Sequence, residues 1–122
     1  MIVRANLTVP DHAGARRLAK TMCSALSNWG NCKVLTLEPD HKHAGEFKLY
    51  VRVSGSGSRS MSVLPSIATA LASGAWKYYD EDPDEAYAVW DLRDGGRSVV
   101  PEVSWLCVEL HPEEDGGLAP TT

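Results

Sequence analysis

Phe47-Lys48-Leu49-Tyr50-Val51-Arg52-Val53 alternates apolar and polar side chains without interruption. Successive side chains of a strand point to opposite faces. This period of two therefore sets Phe47, Leu49, Val51 and Val53 against a core and leaves Lys48, Tyr50 and Arg52 on a face that is wet or turned towards a partner. Upstream, Glu38-Pro39-Asp40-His41-Lys42-His43-Ala44-Gly45 has the Pro and Gly of a turn, and Cys32 to Leu37 before it is a short apolar strand. Further back, Leu18, Met22, Leu26 and Trp29 recur every three or four residues, which predicts a helix over roughly 11–28 with Asp11 as its N-cap. Arg16, Arg17 and Lys20 fall largely off that stripe, and Gly30 is expected to end the helix in a left-handed conformation. Before Pro10, Met1, Val3, Ala5, Leu7 and Val9 alternate with Ile2, Arg4, Asn6 and Thr8, a second half-buried strand.

Downstream, Ser54-Gly55-Ser56-Gly57-Ser58-Arg59-Ser60 reads as a flexible loop, and Leu64, Ile67, Ala68 and Leu71 mark a second helix. An N-cap at Ser62 puts Pro65 in the first turn, where its missing N–H costs little, and Gly74 is expected to close this helix. Trp76 to Tyr79 and Ala86 to Leu92 predict a hairpin about the turn Asp80 to Glu85. After a turn at Asp94-Gly95-Gly96, the stretch Val103 to Leu110 is apolar on both faces except at Ser104 and Glu109, which suits a central strand. The order is β-α-β-β-α-β-β-β. Two amphipathic helices on one face of a mixed or antiparallel sheet would bury both apolar stripes, so the fold class is α+β, a two-layer sandwich.

A length of 122 residues suits one domain, taken as 1–110, with an acidic, Pro- and Gly-bearing tail at 111–122 expected to be loosely held. At 43% hydrophobic and 23% charged residues the composition is globular rather than disordered. No apolar run approaches the roughly 20 residues that cross a bilayer, and no signal-like segment follows Met1, so a cytoplasmic protein without membrane contact is expected. Cys23, Cys32 and Cys107 form no CxxC pair, which argues against a disulfide framework or a four-ligand zinc knuckle.

Charge is unevenly divided. Residues 1–60 hold nine Lys and Arg against four Asp and Glu, whereas residues 61–122 hold three against twelve, so the halves are +5 and −9 within a net −4. Asp80, Glu81, Asp82, Asp84, Glu85, Asp91 and Asp94 fall close together, opposed there only by Arg93. Clustered charge of this kind steers encounters with partners.

Other chemistries find less support. The loop at Gly55, Gly57, Ser58 and Arg59 could hold an anion at a helix start, and a small phosphate- or nucleotide-binding enzyme is the alternative built on it, but neither G-x-G-x-x-G nor the P-loop pattern is met. His41 and His43 flank Lys42 beside Glu38, Asp40 and Glu46, which reads as a solvated polar loop, so no metal and no cofactor are expected. No G-x-S-x-G elbow accompanies the cysteines; Cys23 and Cys107 read as packing residues. Lys48, Tyr50 and Arg52 are a basic-aromatic set of the sort that stacks bases, yet the acidic balance disfavours nucleic acid.

The run Val53 to Gly96 contains a strand, a glycine-bearing loop, a helix, a small-residue break at Ser73-Gly74, the aromatic strand Trp76-Lys77-Tyr78-Tyr79, the acidic turn Asp80-Glu81-Asp82-Pro83, the strand Ala88-Val89-Trp90-Asp91-Leu92 and Gly95. In this it resembles immunity proteins of bacterial polymorphic toxin systems. The resemblance implies an inhibitor that masks the basic nucleic-acid site of a cognate toxin, a nuclease or deaminase, with carboxylates. Aromatic rings beside acids also suit protein binding on physical grounds, since rings give desolvated anchors and carboxylates steer a basic partner. The expectation is a non-catalytic, immunity- or antitoxin-like protein that binds a basic protein through Tyr79, Asp80, Glu81, Asp82, Asp84, Glu85 and Trp90.

Overall fold

The computed structural model describes residues 1–55, 63–82 and 85–110. The chain runs β1 (Ile2–Thr8), α1 (His12–Ala25), β2 (Asn31–Pro39), β3 (Glu46–Ser54), α2 (Leu64–Leu71), β4 (Ala72–Ser73), β5 (Trp76–Tyr79), β6 (Ala86–Asp91), β7 (Arg97–Ser98) and β8 (Val103–Leu110). Six strands form one antiparallel sheet in the order β2-β3-β1-β8-β6-β5, and β4 pairs with β7 in a small second ladder. The α+β class and the order of the long elements follow the sequence pattern. β8 lies between β1 and β6, as its two apolar faces require.

Alternation decides which side of each strand is core. Val3, Ala5 and Leu7 of β1, Leu49, Val51 and Val53 of β3, and Leu106, Val108 and Leu110 of β8 are buried together with Leu18, Met22 and Leu26 from the first helical segment and Ile67 and Leu71 from α2. Both helices thus bury their apolar stripes on one face of the sheet. Asp11 caps α1, its Oδ1 accepting from the Gly14 N–H at 2.8 Å.

Three boundaries differ from the sequence reading. α1 stops at Ala25 and the chain continues through a single 3-10 turn at Ser27–Trp29, because the Leu26 N–H still bonds back to the Met22 carbonyl before the backbone tightens. Gly30 then lies at φ 142°, ψ −167°, outside the left-handed helical well. Glycine is needed there because a Cβ would overlap the Ser54 carbonyl oxygen. α2 ends at Leu71 rather than Gly74, since Ala72 and Ser73 turn extended to pair with Ser98 and Arg97. Pro65 does sit in its first turn; Ser62 and the tail 111–122 lie outside the described residues. Among the described residues no helix is long and apolar enough to cross a membrane.

Candidate docking face

Among the described residues both helices lie on the inner side of the main sheet and no helix covers its outer face, where register lays the side chains out in rows, since residues directly opposed across strands share a face. One row reads Lys33, Arg52, Ile2, Glu109, Tyr87, Tyr79 from β2 to β5. The next reads Thr36, Tyr50, Arg4, Cys107, Val89, Lys77, and the third Glu38, Lys48, Asn6, Trp105, Asp91. The face is graded in charge. Lys33, Lys48 and Arg52 lie on the side of β2 and β3 with Glu38 among them, and Glu81, Asp82, Glu85 and Asp91 gather at the β5–β6 end around Lys77.

At the centre, Arg4 Nε stands 2.7 Å from Glu109 Oε1, and the guanidinium lies over the Tyr50 ring, 5.1 Å from its centroid. The basic-aromatic set Lys48, Tyr50 and Arg52 does share this face, but the Tyr50 ring already carries Arg4 and so presents less free surface for stacking. Cys107 lies below them. Opposite Arg4 in register, it belongs to the outer face, because Leu106 and Val108 take the inner positions.

Burial pushes the Cys107 thiol up to about 11, with Glu109 adding and Arg4 opposing; burial, then a hydrogen bond with Cys23, pushes Cys32 up to about 12. A thiol with a raised pKa is mostly protonated at pH 8 and is a poor nucleophile. Native Cys32 and Cys107 are therefore expected to react with iodoacetamide at pH 8 about a hundredfold or more slowly than free cysteine. Mass spectrometry against a denatured control checks this, and native rates equal to denatured ones would contradict it.

The acidic hairpin builds a more pointed feature. Tyr79 and Tyr87 oppose one another across β5 and β6 and stack with centroids 4.7 Å apart and ring planes 17° from parallel. They remain 46% and 37% exposed, a large aromatic surface left to solvent. Beside them is a hollow of about 220 Å3 lined by Tyr79, Glu81, Asp82, Glu85 and Tyr87. Asp80, Glu81 and Asp82 are exposed, and Glu85 is half-buried where its N–H reaches the Asp82 carbonyl at 3.4 Å. Of the expected contact residues, Tyr79, Glu81, Asp82 and Glu85 come together, with Asp80 next along the chain. Asp84 lies outside the described residues, as do Gly57, Ser58 and Arg59 of the anion loop; Gly55 is described, close to Gly30.

Trp90 is a correction. It is fully buried, in the same strand phase as Ala86 and Ala88, and its indole N–H donates to the Ser73 carbonyl at 3.0 Å, so it anchors the hairpin from below and is not part of the exposed surface. Asp91 is occupied too. Arg93 holds it through Nη2–Oδ2 at 2.7 Å and Nε–Oδ1 at 3.1 Å, which keeps its carboxyl below the usual carboxylate range. The residue that sequence reasoning left out of the contact set is Tyr87. Pairing the hairpin strands outwards from the turn sets it opposite Tyr79, a signal the chain contains.

A second and larger hollow, of about 510 Å3, opens at the other end of the same face, between the β2–β3 turn and the turn after β6. Asn6, His43, Glu46, Asp91, Arg93 and Trp105 are among its lining residues. No family model, curated protein or solved structure matches the chain.

Proposed function

We propose that this protein is a non-catalytic binding protein that captures a basic protein partner through the tip of the β5–β6 hairpin, in the manner of an immunity or antitoxin-like inhibitor. The observation that supports this reading is the stacked, exposed Tyr79–Tyr87 pair set among Glu81, Asp82 and Glu85. A partner that covered the rings would gain apolar burial on a preformed, rigid platform, while its Lys and Arg met the carboxylates around the rim. A toxin of the nuclease or deaminase class, whose own site must be basic to hold nucleic acid, has the complementary surface. Masking that site would inhibit it without chemistry on the part of this chain. The reading places the protein in the cytoplasm, where such a toxin would act.

The test uses the product of the reading frame neighbouring this gene as the partner. Stopped-flow association and calorimetry are run at low and moderate salt with the wild type, with Asp80→Asn, Glu81→Gln and Asp82→Asn combined, and with Tyr87→Ala. Removing three steering charges is expected to slow association about tenfold at low salt and flatten its salt dependence. Removing the ring is expected to weaken affinity by about 2 kcal/mol. An undiminished affinity and salt slope in both variants, or no complex with the neighbouring product, would refute the assignment.

A further inference from the structure

We infer that Asp40, His43 and Glu46 form a binding site for a divalent transition-metal ion of the zinc class, at the rim of the larger hollow. This inference is independent of the docking function and draws on other residues. Each of the three side chains offers one ligand atom, and these atoms lie within 4.8 Å of one another. The spacing Asp-x-x-His-x-x-Glu brings them together because the turn folds the chain back on itself, with the Asp40 N–H donating to the Glu46 carbonyl at 2.8 Å.

Asp40 is the fixed member. It is only 8% exposed, Oδ1 accepts from the Lys42 N–H at 2.9 Å, and Oδ2 lies 3.1 Å from His43 Nδ1. These contacts fix the orientation of its carboxylate, as the neighbours of a metal ligand do. His43 is mostly exposed and Glu46 is half-buried, so small side-chain rotations bring their donors in to a common centre.

One imidazole nitrogen and two carboxylate oxygens make a mixed donor set. Imidazole favours zinc, nickel, copper or iron over magnesium and calcium. Three protein ligands leave at least one coordination position open, the arrangement of zinc sites that exchange their fourth ligand rather than of closed structural ones. His43 and Glu46 both line the hollow of about 510 Å3, so the open position would face a space large enough for a small anionic ligand, with Arg93 on its opposite wall. Lys48 stands close enough to act on Asp40 through its charge and reduces the affinity by like-charge repulsion, so the site is of moderate rather than tight affinity.

Zn²⁺ is titrated by calorimetry into tag-free, chelator-stripped protein, and Co²⁺ absorption spectra are recorded in parallel. One Zn²⁺ per chain is expected, weakened roughly tenfold or more in His43→Ala and in Glu46→Gln, since loss of a ligand costs at least what loss of a supporting contact does. Cys32→Ser and Asp82→Asn are expected to bind as the wild type does, and the Co²⁺ spectrum to lack thiolate charge-transfer bands. Thermal melts show that His43→Ala and Glu46→Gln remain folded; if one does not, the other and the Co²⁺ spectrum decide. No Zn²⁺ binding by the wild type, unchanged binding in the folded variants, or loss on changing Cys32 or Asp82 would overturn the assignment.

Discussion

Trp90→Ala is expected to lower the stability of the protein by about 3–5 kcal/mol, and its melting temperature by about 10 °C or more. The side chain is fully buried in the core, on a strand that packs against α2, so its removal leaves a large void. The surrounding backbone is held by β-ladders on both sides of β6 and cannot close around that void. The indole N–H also occupies the Ser73 carbonyl, so that acceptor loses its partner as well. Trp90→Phe keeps most of the volume and is expected to lose far less. Circular dichroism melts of the two variants decide the matter. A native melt for Trp90→Ala would put the ring outside the core. The result also bears on function, because loss of partner capture in this variant would reflect a loosened hairpin and not a lost contact.

The difference between Trp90 and Tyr87 shows what the sequence could and could not tell. Ala86-Tyr87-Ala88-Val89-Trp90-Asp91 alternates, and each phase contains one aromatic residue. Aromatic character alone does not choose the buried phase. Asp91 does: a carboxylate in phase with Tyr87 and Val89 sends that set outwards, and the two alanines in phase with Trp90 leave room for a large ring below the helices. In β3 no such ambiguity arose, because one phase was wholly apolar and the other was not. In β8 both phases are mainly apolar and each carries one polar residue, Ser104 with Leu106 and Val108, Glu109 with Trp105 and Cys107, so its central place was legible while the side to which Cys107 and Trp105 point was less so.

The candidate sites were legible in proportion to how local they are. The acidic turn and Tyr79 are contiguous, and strand pairing supplies Tyr87 from across the same hairpin. Asp40, His43 and Glu46 are also near in sequence, but their convergence depends on the turn geometry, which composition does not contain. The hollow beside them joins β1, the β2–β3 turn, β6 and β8, and needs the strand order β2-β3-β1-β8-β6-β5 before it exists at all. The β4–β7 ladder is two residues long on each side and leaves no periodicity to read.

That short ladder carries the last large expectation. Gly95 and Gly96 both have positive φ, 95° and 97°, so alanine at either strains the backbone, at a cost of about 1–3 kcal/mol. Only Gly96 also meets a neighbour. A Cβ on Gly95 would have nothing within 4 Å, whereas a Cβ on Gly96 would overlap the Ser73 carbonyl oxygen and come within 2.8 Å of the Gly74 Cα. Backbone has no rotamer to move away with, so the two strands must part. Gly96→Ala is therefore expected to destabilise the protein by about 2 kcal/mol more than Gly95→Ala, measured as denaturant midpoints at equal slope. The displaced oxygen is the one that accepts the Trp90 indole N–H, so the disturbance is carried from an exposed turn into the core beneath the β5–β6 hairpin. Indole fluorescence in Gly96→Ala should shift towards that of a solvated ring before global unfolding, while Gly95→Ala should retain the native spectrum. Equal midpoints and equal spectra for the two variants would mean that β4 and β7 do not approach so closely, and that Trp90 is held by packing alone.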